Sequence, residues 1–182
     1  MRRSPETQAL SSGRTDDLQI GSSYYIVDVF AERRYAGNPL AVVLDAGDLS
    51  DTAMQAIARE MHLSETAFVR SGEGEDRAYD VRIFTPEHEV PFAGHPTLGT
   101  AHVIREELLK RPVPEVRLNL AAGQIPVSFA PEGIAWMRQN PPVFMDEIPA
   151  DTLAGVLSLP ETTIDPRFPV EEVSTGLPFI FI

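Results

Sequence analysis

Strands that outnumber helices, arrive as consecutive hairpins and leave several strands between one helix and the next predict an α+β fold, not a doubly wound sheet. The first strand is Tyr24-Tyr25-Ile26-Val27-Asp28-Val29-Phe30, a β-branched and aromatic run. Gly37-Asn38-Pro39 supplies a turn, and Leu40-Ala41-Val42-Val43-Leu44 is a second strand, apolar throughout and so buried on both faces. Ser50-Asp51 starts a helix with a capping hydroxyl and an acidic first turn; Met54, Ile57, Ala58 and Met61 then give residues 51–62 one apolar face. Ala67-Phe68-Val69 and the return run Tyr79 to Thr85 make residues 66–85 a hairpin, with Gly72 and Gly74 in an acidic turn. Residues 97–110 read as a second helix whose buried stripe is Leu98, Ala101, Ile104 and Leu108. Strands at 115–120, 124–129 and 133–139, a third helix at 151–157 and a last strand from about 170 to Ile182 complete the series.

The 182 residues suffice for one large domain or two small lobes, and 43% hydrophobic with 23% charged residues is a globular composition. Fifteen Lys and Arg against 27 Asp and Glu leave a net charge of −12, with no basic stripe, which argues against nucleic acid as a partner. No apolar run approaches the roughly 18–20 residues of a membrane span. Zero cysteines exclude disulfides, cysteine metal sites and thiol catalysis, and suit a cytoplasmic protein. Met1-Arg2-Arg3 is followed by no apolar h-region, so a signal peptide is not expected. Residues 1–23 are polar, lack periodicity and read as a disordered tail. At the other end the chain stops inside an aromatic and β-branched run after Gly176-Leu177-Pro178. Such a strand either fills a gap in the sheet or opens a second lobe, and the cost of an exposed edge favours the second.

Two segments carry chemistry. In Thr85-Pro86-Glu87-His88-Glu89-Val90-Pro91-Phe92-Ala93-Gly94-His95-Pro96-Thr97-Leu98-Gly99 a strand ends, a Pro-punctuated loop follows, and a helix begins near Pro96 or Thr97. The free amides of that first turn suit a carboxylate, and His95 at the loop tip can donate a hydrogen bond or move a proton. The bland alternative is a tight connection bearing a surface histidine. In Met61-His62-Leu63-Ser64-Glu65-Thr66-Ala67-Phe68-Val69 an acidic residue sits between an apolar helix and an apolar strand, where partial desolvation suits a general base. A solvated or backbone-capping carboxylate is the competing reading for Glu65. His62, His88, His95 and His102 raise the question of zinc, but their irregular spacing matches no metal pattern, and no metal site is expected. Phosphate-loop spacing is absent, and Ser64, Ser128 and Ser174 lack a nucleophile elbow.

Taken together, Val27-Asp28-Val29-Phe30, Gly37-Asn38-Pro39-Leu40-Ala41-Val42-Val43, Leu63-Ser64-Glu65-Thr66-Ala67-Phe68-Val69 and the Arg82-to-Gly99 segment closely resemble the PhzF-like phenazine biosynthesis family. Four blocks occur in order over residues 24–110, and the likeness continues more weakly to Ile182. The resemblance implies the diaminopimelate-epimerase fold, two lobes that each curl a mixed sheet around a central helix, with residues 97–110 as the central helix of the first. It implies residues 24–140 as that lobe and residues 141–182 as its remainder with the beginning of an incomplete second one. It also implies a cofactor-free isomerase that shifts a proton on a small carboxylate-bearing, dihydro-hydroxyanthranilate-like substrate. Glu65 and His95 map onto the catalytic positions, and Gly94, Pro96, Thr97 and Asn38 onto substrate binding.

The family's second lobe supplies an aspartate and a Gly-Ser loop in a D-P-A-T-G-S-A-like block. Asp165-Pro166-Arg167 is not that block, because Phe168-Pro169-Val170 follows. Half of the implied site is therefore expected to be missing, and the alternative reading is a non-enzymatic binding module. A homodimer formed through the last strand is the macromolecular partner that reading allows.

Overall fold

Two antiparallel strands, β1 (Tyr24–Val29) and β2 (Asn38–Val43), open the fold, with Tyr24 opposite Val43 and Val29 opposite Asn38. The computed structural model describes residues 22–33, 35–71 and 78–182. Of the expected tail, residues 1–21 lie outside these. Ser23, which the sequence reading places in the tail, already joins the fold: its carbonyl accepts from the Leu44 amide at 2.8 Å. The expected Gly72 to Gly74 turn also lies outside the described residues.

Helix α1 (Asp51–Met61) begins where the capping chemistry places it: the Ser50 hydroxyl accepts from the Ala53 amide at 3.2 Å. The helix ends at His62, whose φ of 53° turns the chain back toward the sheet. It is the crossover between β2 and β3 (Thr66–Ser71), which pair in parallel. β3 and β4 (Ala78–Phe84) then form the expected antiparallel pair, and β5 (Glu89–Val90) adds two residues against β4. Helix α2 (Gly94–Val103) carries the chain to β6 (Glu115–Leu120), again parallel to its neighbour β4. β7 (Gly123–Phe129) and β8 (Ala135–Met137) close the order β1-β2-β3-β4-β6-β7-β8. The sheet is therefore mixed; the run of consecutive hairpins predicted from the sequence is interrupted twice by helical crossovers.

The two helices lie on opposite faces. Leu40, Val42, Ala67, Val69, Ile83, Leu118 and Val127 pack with Ala101 and Val103 of α2 and with Ile104 just after it; α2 touches β1, β2, β3, β6, β7 and β8. A sheet that contacts one helix through six strands is curled around it. On the other face Met54 and Ala58 of α1 pack with Val43, Phe68 and Phe84, whose last two rings meet edge to face at 5.4 Å. Arg82 joins α1 to β4 and β5 by pairing with Asp51 at 2.5 Å and with Glu89 at 2.6 Å.

Three expectations are corrected here. The second helix starts at Gly94, three residues before the predicted position, because the Ala93 carbonyl already accepts from the Thr97 amide at 3.3 Å. Leu108 is 39% exposed, not buried, because residues 104–109 continue α2 as a π-helical turn; the Lys110 amide reaches Arg105, five residues back, and the face rotates. The predicted last strand is a hairpin, β10 (Glu171–Ser174) and β11 (Pro178–Phe181), bent at Gly176 with φ of 141°. With β9 (Val143–Glu147), which the sequence reading missed, these form a separate three-stranded sheet in the order β11-β10-β9, and α3 (Ala150–Leu157) lies between β9 and β10 in the chain.

Candidate active site

Sheet periodicity decides where Glu65 points. Ala67 and Val69 of β3 face α2 whereas Phe68 faces α1, so the residue two before Ala67 projects toward α2. Its carboxylate meets the first turn of that helix: Glu65 Oε2 stands 3.5 Å from His95 Nε2. Both side chains are largely withdrawn from water, His95 at 9% and Glu65 at 20% exposure. Among the described residues neither Oε2 nor Nε2 has a hydrogen-bond partner. A buried acceptor and a buried ring nitrogen left facing each other are costly for stability, as polar groups poised for chemistry tend to be.

The far side of the ring is also engaged. Asn38, at the start of β2, brings its carboxamide Nδ2 to 3.2 Å from His95 Nδ1. Burial pushes the imidazole pKa below its ordinary 6.5, while the Glu65 charge and the Pro39 carbonyl oppose that shift. The three groups lie on three separate elements: β2 supplies Asn38, the α1–β3 loop supplies Glu65, and α2 supplies His95.

The helix terminus is narrower in function than its sequence suggests. Ala93 caps α2 with no side-chain hydrogen bond, so the amides of Gly94 and His95 have no helical carbonyl ahead of them. Pro96 has no N–H to offer. The Thr97 amide and hydroxyl both donate to the Ala93 carbonyl, the hydroxyl at 2.7 Å. Pro96 and Thr97 are buried and shape the turn, while Gly94 and His95 present the two open donors. Gln55 on α1 holds the approach to this loop by donating to the Thr85 and Pro86 carbonyls at 2.9 and 3.0 Å. Sequence reading did not single out Gln55, since its only signal was a polar residue on the edge of an apolar helical face.

The remaining histidines are elsewhere: His62 terminates α1, His88 lies in the β4–β5 turn, and His102 is exposed on α2. Among the described residues no three His, Asp or Glu side chains gather. No helix among them is long and apolar enough to cross a membrane. A cavity of about 380 Å³ between β1, α2 and β8 includes neither Glu65 nor His95 in its lining.

The family model for "Phenazine biosynthesis-like protein" matches residues 27–182. A trans-2,3-dihydro-3-hydroxyanthranilate isomerase from Pseudomonas aeruginosa is 37% identical over 164 residues, 87% of this chain and 56% of that protein. The chain spans about half the length of the curated relatives it matches over most of its own. Among solved structures, one called a "Predicted Epimerase" from Pseudomonas aeruginosa superposes with a TM-score of 0.74 at 38% identity, covering 86% of this chain and 57% of that one. A probable proline racemase from Agrobacterium radiobacter shares the fold at a TM-score of 0.53 and 11% identity, over 79% of this chain and 48% of that one. The mixed curled sheet and its central helix are thus an epimerase-like α+β lobe.

Proposed function

Because the chain belongs to the phenazine biosynthesis-like family, we propose that it serves an isomerase that moves a proton within a small, ring-bearing carboxylic acid of the dihydro-hydroxyanthranilate type, with Glu65 as general acid and base. The observation that carries this reading is the isolated pair: Glu65 Oε2 and His95 Nε2, 3.5 Å apart and otherwise unpartnered, beside the open end of a helix.

The chemistry follows from what each group can hold. The ionised Glu65 carboxylate takes a proton from a ring carbon; the C–H electrons enter the conjugated system, and the same carboxyl returns the proton at another carbon. Atoms and electrons balance without oxidant or reductant, so the step needs no cofactor. Negative charge that develops toward the substrate carboxylate is met by the Gly94 and His95 amides at the positive end of α2. His95 stabilises the carboxylate form of Glu65 through Nε2. Pro96 and Thr97 act indirectly by fixing the turn.

Deuterium incorporation from heavy water into trans-2,3-dihydro-3-hydroxyanthranilate tests this directly. Wild-type protein exchanges, and Glu65→Gln slows exchange by about 10²–10⁴-fold, the span of a lost general acid or base. Wild-type exchange that persists in Glu65→Gln removes Glu65 from the role. A wild-type chain that exchanges nothing overturns the isomerase reading for this polypeptide.

A further inference from the structure

His95 Nδ1 lies 3.2 Å from the Asn38 carboxamide nitrogen, whose N–H favours a bare Nδ1 and therefore a proton on Nε2. On the opposite edge Nε2 faces Glu65 Oε2 at 3.5 Å, with no hydrogen-bond partner among the described residues. An ionised carboxylate there needs an N–H, because a bare Nε2 would set one lone pair against another. The two edges of the ring are therefore linked: what holds Nδ1 decides what Nε2 presents to Glu65.

We propose that Asn38 is a positioning residue that fixes the His95 tautomer, donating to Nδ1 so that the ring proton sits on Nε2 and points at the Glu65 carboxylate. This assigns Asn38 a different part from direct substrate binding. Its catalytic consequence rests on the isomerase reading above, but the tautomer itself does not. Without the Asn38 donor nothing holds Nδ1 bare; an acceptor in its place draws the proton to Nδ1, and Glu65 then faces a bare nitrogen. A triad histidine held in the wrong tautomer loses about 10⁴-fold in rate in a serine protease. The loss here is expected to be smaller, because the imidazole assists the carboxylate instead of transferring the proton itself.

The position also explains why a carboxamide stands here. Asn38 is exposed at the first residue of β2, and its backbone pairs with Val29 whatever its side chain. The 3.2 Å contact crosses 57 residues of sequence, from one strand end to the first turn of α2.

Nitrogen-15 NMR of the labelled full chain at about pH 8, where His95 is neutral, reads the tautomer without substrate, since the bare ring nitrogen resonates far downfield of the protonated one. Wild type is expected to carry its proton on Nε2. Asn38→Asp, an isostere that can only accept, and Asn38→Ala, which removes the donor to Nδ1, are both expected to move it toward Nδ1. A wild-type proton on Nδ1 overturns the proposal, and so does either folded variant that keeps Nε2–H. Deuterium exchange into the hydroxyanthranilate substrate is then read on the same samples. An expected tautomer shift together with at least a 10-fold slower exchange supports the catalytic consequence. A shift with wild-type exchange rates overturns that consequence. A shift in a chain that exchanges nothing leaves Asn38 as the tautomer determinant and counts against the isomerase reading alone.

Discussion

Gly99 of α2 lies so close to Leu40 of β2 that a β-carbon at Gly99 would stand 2.7 Å from the Leu40 Cδ2 methyl, with Val29 and Val27 methyls at 2.8 and 3.3 Å. This close approach sets the helix down on β1 and β2 and so carries His95, one turn earlier, to the end of β2 where Asn38 begins. Gly99→Ala must push three methyl groups aside, a cost of about 1–3 kcal/mol. Better helix propensity returns up to about 1 kcal/mol of it. Urea denaturation should show a net loss, and a double-mutant cycle with Leu40→Ala should be less than additive. Additive losses would mean that the contact is slack.

Gly94 behaves differently, which separates a folding role from a binding one. A β-carbon there meets the Met137 Cε methyl at an ordinary 3.5 Å. Gly94→Ala should therefore leave thermal stability unchanged or slightly raised. If the Gly94 and His95 amides hold the substrate carboxylate, the added methyl obstructs that approach, and KM should rise about 10-fold or more with a smaller change in kcat. A variant with lower stability and unchanged KM would reverse the assignment.

Stability should depend on pH through His95. Its folded pKa lies below the ordinary 6.5, so between the two values the unfolded chain binds more protons than the folded one. That contribution is fully present above pH 6.5 and is lost as pH falls through the folded value. Melting of wild type should therefore drop more steeply between about pH 7 and pH 5 than melting of His95→Gln. Equal slopes would show that the imidazole titrates alike in both states.

Glu65→Gln should cost activity without costing stability. The carboxylate has a bare buried oxygen opposite Nε2, whereas a glutamine amide supplies an N–H or a neutral acceptor to whichever tautomer is present. Denaturation midpoints for the variant are expected at or above those of wild type. A loss above about 1 kcal/mol would mark Glu65 as a structural residue.

Most of the larger sheet is legible as local pattern. Val27 to Phe30, Leu40 to Leu44, the Ser50 cap and the alternation through Tyr79 to Phe84 each announce themselves within a few residues. What is not legible is pairing at a distance: nothing in Ala41-Val42-Val43 says that its neighbour is the parallel Thr66-Ala67-Phe68. β5 is two residues long and ends at a proline, and β9 is exposed on both faces, so neither has a period to detect. The site divides in the same way. Glu65 and His95 were each suggested by loop chemistry, but their facing atoms are a product of sheet pleat and helix placement. Asn38 carried no local sign of a tie to an imidazole 57 residues away.

The two parallel junctions, β2 with β3 and β4 with β6, have a kinetic consequence. Each requires a helix-bearing loop to close before the strands gain anything from pairing, so loop-closure entropy must be met before contacts repay it. The hairpins β1–β2 and β6–β7 can form early, whereas Asn38, Glu65 and His95 come together only after the first crossover has closed and α2 has docked. The Asn38–His95–Glu65 cluster is thus expected to assemble late during refolding, after most of the sheet exists to hold it.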